Sequence, residues 1–205
     1  MFTVIGDCHS LFPAYLRILK HHEYTLQLGD FGFEYSVLDK VDATKHRVMA
    51  GNHDNPDLLL KQPHCLGRYG NSILNGVPFF FVSGGYSIDW KERTSGLDFF
   101  PNEELTIKEA VECCQLYREI KPDIVISHEG PYKVVDKMFP DRTVLQNWGY
   151  PDYWHSQTSE LLQTLFDIHK PKLWVFGHHH KKITRQVGRT TFQCIYELGT
   201  YEVKL

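Results

Sequence analysis

No stretch of this chain stays apolar for anything near the ~18 residues that a membrane-crossing helix needs, and no basic segment leads into an apolar run at the N-terminus. These absences predict neither a membrane anchor nor a secretory leader. Cysteine is scarce and unpaired. The five residues Cys8, Cys65, Cys113, Cys114 and Cys194 show no C-x-x-C spacing and make an odd total, which excludes a zinc knuckle and a disulfide framework. A reducing, cytoplasmic setting is the expectation. An excess of positive charge is also missing: 22 Lys and Arg stand against 25 Asp and Glu, a formal net charge of -3. That excludes a generally basic surface of the kind that coats nucleic acid, although bound divalent ions would make a cleft locally positive. Repeats, low-complexity tracts and linkers are absent, so the 205 residues are read as one domain, 1–205, long enough to bury a sizeable core.

What the chain does contain is a recurring tetrad grammar. Gly51-Asn52-His53-Asp54 follows the apolar run Arg47-Val48-Met49-Ala50 and sets an amide oxygen, an imidazole and a carboxylate side by side. Gly6-Asp7-Cys8-His9, Gly29-Asp30-Phe31-Gly32, Ser127-His128-Glu129 and Gly177-His178-His179-His180 each follow a strand-forming run, and all but His128 follow a glycine. Five loops are therefore expected to converge on one metal site.

The elements between them read in order. Phe2 to Ile5 is a strand, Leu11 to His22 has helical spacing, and Thr25 to Leu28 and Val48 to Ala50 are strands, with Asn55-Pro56 opening a helix over 57–61. This is a βαβ-type alternation, which places ligands at the carboxyl ends of strands. Val77 to Val82 is a buried strand. Asn102 is read as the cap of a helix to Ile120, with Glu103 and Glu104 in its first turn, stopped by Lys121-Pro122. Asp123 to Ser127 and Lys172 to Phe176 are strands, 157–169 is helical, Tyr132 to Trp154 has no clear period, and the tail from Ile183 to Leu205 reads as hairpin strands around Gly188 and Gly199.

Asp7, His9, Asp30, Asn52, His128, His178 and His180 supply carboxylate, amide oxygen and imidazole without thiolate, a donor set that suits Mn, Fe, Zn, Ni or Co. Two ions about 3.5–4 Å apart need a bridging ligand, and a carboxylate can be one. In this order, D-x-H, G-D, G-N-H-D, H and G-H-x-H, the motifs resemble the calcineurin-like metallophosphoesterase superfamily from Asp7 to His180. The resemblance implies an α/β fold, a four-layer α-β-β-α sandwich, and two divalent ions with manganese foremost. It assigns one ion to Asp7, His9, Asp30 and His180, the other to Asp30, Asn52, His128 and His178, and the proton to the leaving group to His53. Three departures stand out. Many members carry an aspartate three residues after the bridging one, where it orients the catalytic histidine; Phe33 stands there, and Glu34 or Asp54 could take its place. Ser10 replaces a usual glycine, and Glu129-Gly130-Pro131 a usual Pro-Pro. The Asp-Arg pair of serine/threonine protein phosphatases is missing, which argues against that activity.

The reading that follows is a metal-dependent phosphoesterase using a metal-bound hydroxide, preferably a phosphodiesterase acting on a nucleotide or other small diester. A phosphomonoesterase or nuclease would use the same residues. A catalytically silent scaffold of the same fold is the non-enzymatic alternative, and retention of His53 with every ligand argues against it. Arg93 and Trp90 are candidate substrate contacts. Tyr86, Phe99, Phe100, Trp148, Tyr150, Tyr153 and Trp154 could offer a stacking platform, but plugs that pin the long loops are preferred. Cys8 is read as a buried filler, His179 is not counted as a ligand, and His21, His22, His46, His64, His155 and His169 are read as solvated or packed. Oligomeric state has no signature.

Overall fold

The computed structural model describes residues 1–204; Leu205, the end of the expected tail, lies outside them. In chain order the elements are β1 (Phe2–Ile5), α1 (Phe12–Leu19), β2 (Thr25–Gln27), β3 (His46–Val48), α2 (Pro56–Leu59), β4 (Tyr69–Leu74), β5 (Val77–Val82), α3 (Ile107–Ile120), β6 (Ile124–Ser127), α4 (Tyr132–Met138), α5 (Thr143–Asn147), α6 (Gln157–Ile168), β7 (Leu173–Phe176), β8 (Ile183–Val187), β9 (Thr190–Cys194) and β10 (Thr200–Val203). Two sheets result, in the orders β10-β1-β2-β3 and β4-β5-β6-β7-β9-β8.

Alternation along the strands decides the layering. Phe79 and Phe81 of β5, Ile124 and Ile126 of β6, and Val175 of β7 meet Phe2, Val4 and Leu26 of the other sheet in one core. Their neighbours Phe80, Val82, Val125, Trp174 and Phe176 turn to the opposite face and pack on α3, α4 and α6. Ile5 and Val48 face the other way from Val4, against Tyr15 of α1 and Leu59 of α2. Apolar residues on both faces bury both sheets, and each large side chain so buried contributes roughly 1.5–3 kcal/mol. The outcome is the expected four-layer sandwich, helices outside and two sheets within.

Several boundaries differ from the sequence reading, each for a local reason. Helix α3 starts at Thr106, not Asn102, because Thr106 and Glu109 form a reciprocal capping box. Glu103 and Glu104 therefore precede the helix and serve elsewhere. β4, absent from the sequence reading, pairs antiparallel with β5 across Asn75-Gly76, whose φ values of 47° and 74° fit a hairpin turn matched to strand twist. Within the stretch without clear period, α4 and α5 form. The tail makes the expected β8–β9 hairpin at Gly188, but β10 leaves it and pairs antiparallel with β1 in the other sheet. Strand β3 ends at Val48, two residues earlier than read, and α1 spans only Phe12–Leu19.

Candidate metal centre

Strands β1, β2 and β3 run parallel, as do β5, β6 and β7, so their carboxyl ends open onto one rim. Asp7 and His9 follow β1, Asp30 follows β2, Asn52 and His53 follow β3, His128 follows β6, and His178 and His180 follow β7. Tight turns deliver them: His9, Asp30, His178 and His180 all take left-handed backbone, with φ of 45°, 53°, 64° and 48°. Each such residue costs on the order of 1 kcal/mol or more, a strain that concentrates at functional sites. The preceding glycines make room. A Cβ on Gly51 would strike the Asp30 carboxylate, and one on Gly177 would strike that of Asp7.

Two sets of donor atoms form, and Asp30 belongs to both. In the outer set, ligand atoms of Asp7, His9, Asp30 and His180 lie within 4.8 Å of one another. His9 Nε2 stands 2.9 Å from His180 Nε2 and 3.7 Å from Asp30 Oδ2, while His180 Nε2 stands 3.2 Å from Asp7 Oδ2. In the inner set His128 Nε2 lies 3.0 Å from Asn52 Oδ1 and 3.3 Å from Asp30 Oδ1, and His178 Nδ1 lies 2.9 Å from the same Asn52 oxygen.

These spacings have a chemical test. His128 Nδ1 donates to the carbonyl of Leu28 at 3.0 Å, and burial keeps its ring below the usual histidine range, so Nε2 presents a lone pair. Asn52 Nδ2 donates to Ser87 Oγ at 3.2 Å, and Ser87 Oγ donates to Glu103 at 2.7 Å, which aims the Asn52 oxygen at both histidines. The lone pairs of His128 Nε2 and Asn52 Oδ1 therefore face one another at 3.0 Å with no hydrogen between them, and His178 Nδ1 adjoins the same oxygen at 2.9 Å. Ligands about 2.1 Å from a shared ion at right angles stand about 3 Å apart. Charge agrees. Burial and the nearby Asp7 charge push the Asp30 carboxyl up, whereas burial of Asp7 is outweighed by its His180 and His178 hydrogen bonds and by His128, leaving it low. Among the described residues the only charged partners of these two carboxylates are histidines. The residues fit divalent cations.

His53 stands beside the bowl, its ring 5.2 Å from that of His9 and its backbone N–H donating to Asp30 Oδ1 at 2.8 Å. Burial, the Arg93 guanidinium and His9 push its ring down to about 3. Arg93 is not solvated as a loop arginine would be: its Nη2 lies 2.6 Å from His53 Nε2. Asp54 neither caps α2 nor reaches the His53 ring. Asn55 is the cap, and Asp54 accepts from Gly32 N at 3.0 Å and Gly51 N at 2.8 Å, stapling two ligand loops together.

From the bowl a cleft of about 420 Å³ runs past Tyr86, Arg93, Trp148, Trp154 and Lys181. Trp90 is not part of it: it is 38% exposed and packs on Phe99, because its short helical turn faces it outward. Tyr86, Tyr150 and Trp154 pack together, and Arg142 holds their loop through the carbonyls of Asp152 and Trp154 and the carboxylate of Asp136. These aromatics thus both pin the loop and line the cleft. Cys8 is fully buried, and burial with the Asp54 charge pushes its thiol up to about 12. His179 packs on Phe139 and Phe176 outside both ligand sets. His22, His46 and His169 bond Thr3, Thr25 and Pro122 away from the site, whereas His155, bonded to Asp136, lines the cleft. The sequence reading did not anticipate Ser87, Asp89 or Glu103, because no motif surrounds them.

The family described as calcineurin-like phosphoesterase matches residues 1–182. Among curated proteins the lariat debranching enzyme of Entamoeba histolytica is 24% identical over 209 residues, covering 95% of this chain and 59% of that enzyme, so the chain spans about three fifths of the relative's length. Two solved structures share the fold. A protein from Thermus thermophilus has a TM-score of 0.54 at 13% identity over 96% of this chain and 90% of its own. A proposed 5′-nucleotidase from Staphylococcus aureus has a TM-score of 0.57 at 15% identity over 97% of this chain and 48% of its own. With the match extending over the loops that carry both donor sets, the chain belongs to the calcineurin-like phosphoesterase family, whose members work through a dinuclear centre of divalent ions.

Proposed function

We propose that the protein hydrolyses a phosphodiester, a nucleotide or another small diester, in a reaction that requires two divalent ions, manganese foremost. Asp7, His9, Asp30 and His180 would hold one ion and Asp30, Asn52, His128 and His178 the other. When bound, such ions neutralise phosphate oxygens and lower the pKa of a water toward neutrality. Asp30 is the shared ligand, and its Oδ1 also anchors the His53 loop, so ligand geometry and the position of the imidazole are set together. His53 would serve the leaving oxygen from the rim of the bowl.

The observation that carries the diester reading is the cleft. A diester has a second substituent that needs a place, and about 420 Å³ walled by Tyr86, Trp148 and Trp154 adjoins the ligands. That volume is within the range of small-molecule sites, and aromatic faces suit a base. Similarity to a lariat debranching enzyme favours, as a second reading, a phosphodiester within a branched RNA. The five free thiols and the absence of a membrane-crossing helix among the described residues support a cytoplasmic setting as part of the same proposal.

The test uses protein stripped by a chelator and restored with Mn²⁺, then offered bis-p-nitrophenyl phosphate, p-nitrophenyl phosphate, cyclic and dinucleotides, and branched beside linear RNA. A preference of about tenfold or more in kcat/KM for small diesters is the expected result. Preference for the monoester would overturn the diester reading, and preference for branched RNA would move it to the second. Absence of metal-dependent turnover on all of them would leave the silent scaffold.

A further inference from the structure

The unassigned partner of His53 has a structural answer. Phe33, at the position where an orienting aspartate is common, turns its ring to Phe100 at 6.0 Å and is 42% exposed. Glu34 is folded onto Ser36, and Asp54 onto Gly32 and Gly51. None of the three touches the His53 ring. Arg93 does, from the loop after β5, with Nη2 2.6 Å from Nε2. The arginine is itself fixed: Nη2 lies 2.7 and 2.9 Å from the two carboxylate oxygens of Asp89, and Nη1 donates to the carbonyl of Asp98 at 3.3 Å. Only 8% of its side chain is exposed.

A guanidinium can only donate, so Nε2 accepts and the ring hydrogen sits on Nδ1. No hydrogen bond among the described residues engages Nδ1. We propose that Arg93, braced by Asp89, is the positioning residue of His53, holding the imidazole by its Nε2 so that the Nδ1 hydrogen is the one offered to the leaving oxygen. A carboxylate partner would orient the ring by accepting from it; the guanidinium orients it by donating, and the two ring nitrogens exchange roles. The proposal rests on the phosphoester reading. In that reaction the bond between phosphorus and the leaving oxygen breaks with its electron pair going to that oxygen. A bond from the attacking water oxygen to phosphorus forms. His53 keeps its Nδ1 hydrogen, which hydrogen-bonds the charge developing on the leaving oxygen, and the proton that oxygen takes up is the one the attacking water loses, so the ring is neutral before and after.

Two measurements test it, one of them without turnover. In metal-free protein, nitrogen-15 multiple-bond spectra of the histidine rings should show His53 as a single Nδ1–H form with an accepting Nε2. In Arg93→Met that signature should give way to exchange between the two tautomers, with the His46 and His169 rings unmoved. An unchanged His53 spectrum would overturn the proposal. In metal-loaded protein, aryl phosphodiesters of graded leaving-group basicity are compared. Arg93→Met should lower kcat about tenfold more for the most basic leaving group than for the least basic, with KM altered alike across the series. Asp89→Asn, which loosens the brace but keeps the guanidinium, should show the same slope at smaller amplitude. Losses uniform across the series and seated in KM would make Arg93 a phosphate clamp instead, overturning the positioning role. Should no diester be turned over, the phosphoester reading fails, while the spectra still decide whether Arg93 holds the ring.

Discussion

The two donor sets are built differently. In the inner set His128 is fully buried, its tautomer fixed by the Leu28 carbonyl, and Asn52 is aimed through Ser87 by Glu103. In the outer set the His180 side chain is 44% exposed, and its ring meets that of His9 across 2.9 Å with no hydrogen bond among the described residues fixing either tautomer from behind. Left-handed turns serve both sets, at His178 in the inner and at His9 and His180 in the outer; what separates them is the hydrogen bonding that orients His128 and Asn52. Outer partners that orient a ligand raise its affinity and fix its geometry, so the inner ion should bind more tightly and exchange more slowly. His180 is raised by its Asp7 hydrogen bond, so mild acid should release the outer ion first.

The largest effect should come from the residue that joins the sets. Asp30→Asn removes a carboxylate donor from both, and under the proposed activity kcat should fall by roughly 10²–10³-fold or more, the scale of losing one preorganised electrostatic group. Stability of the metal-free protein should move oppositely. Asp30 is buried beside Asp7, which raises its carboxyl, and the neutral amide relieves that repulsion. Calorimetry after chelation should therefore find a higher Tm in the variant. A lower one would mean that the carboxylate is supported by the protein alone, which would count against an obligatory cation.

Next, His128→Ala and His180→Ala should separate the sets. Removing His128 leaves a buried void and an unpaired Leu28 carbonyl; a loss of about 2–4 kcal/mol, or about 5 °C or more in Tm, is expected, together with the inner ion. His180→Ala should cost under about 1 kcal/mol, since its site is half open, and should retain about one ion per chain by elemental analysis. Equal losses in the two variants would erase the distinction between inner and outer.

How much of this was legible in the residues differs by element. The ligand loops were, because a glycine precedes a ligand wherever another loop's carboxylate occupies the place of its Cβ, as at Gly51 and Gly177, and that necessity is written locally. The sandwich was too: strands such as Val77–Val82 and Leu173–Phe176 are apolar on both faces and need cover on both. Partner choice was not. Nothing within residues 200–203 says that β10 crosses to β1, and the T-x-x-E box at Thr106 competes with the equally plausible Asn102. Ser87 and Glu103 act through a few hydrogen bonds between distant loops, and Arg93 finds His53 forty positions away. Such contacts follow from the fold and leave no periodicity or spacing behind them.

A subtler break concerns how the inner set is aimed. Ser87→Ala removes the acceptor of the Asn52 amide without touching a ligand, and frees the amide to turn. Affinity for the inner ion should fall about 10–100-fold, with the outer ion unchanged. Titration of stripped protein with Mn²⁺, followed by calorimetry, would resolve the two steps. A uniform weakening of both would place the effect in the fold and not in Asn52.

The last effect is one of stability and carries a sign. Glu103 is 4% exposed, and its carboxyl is pushed up to about 7 by burial, which its bonds to Ser87 only partly offset. Below about pH 4.5 the group is protonated in both folded and unfolded chains and contributes no difference. Between that pH and about 7 the folded chain holds a proton that the unfolded chain has released, so stability is lost as pH rises through this window. Glu103→Gln removes the titration. Its stability relative to the native chain, measured by urea melts of metal-free protein, should therefore climb across the window, by about 1 kcal/mol per pH unit, and level off above it. The opposite slope would mean that Ser87 holds Glu103 as an anion. The aim of Asn52 would then rest on a fixed charge behind it, and the inner set would be the more electrostatic of the two.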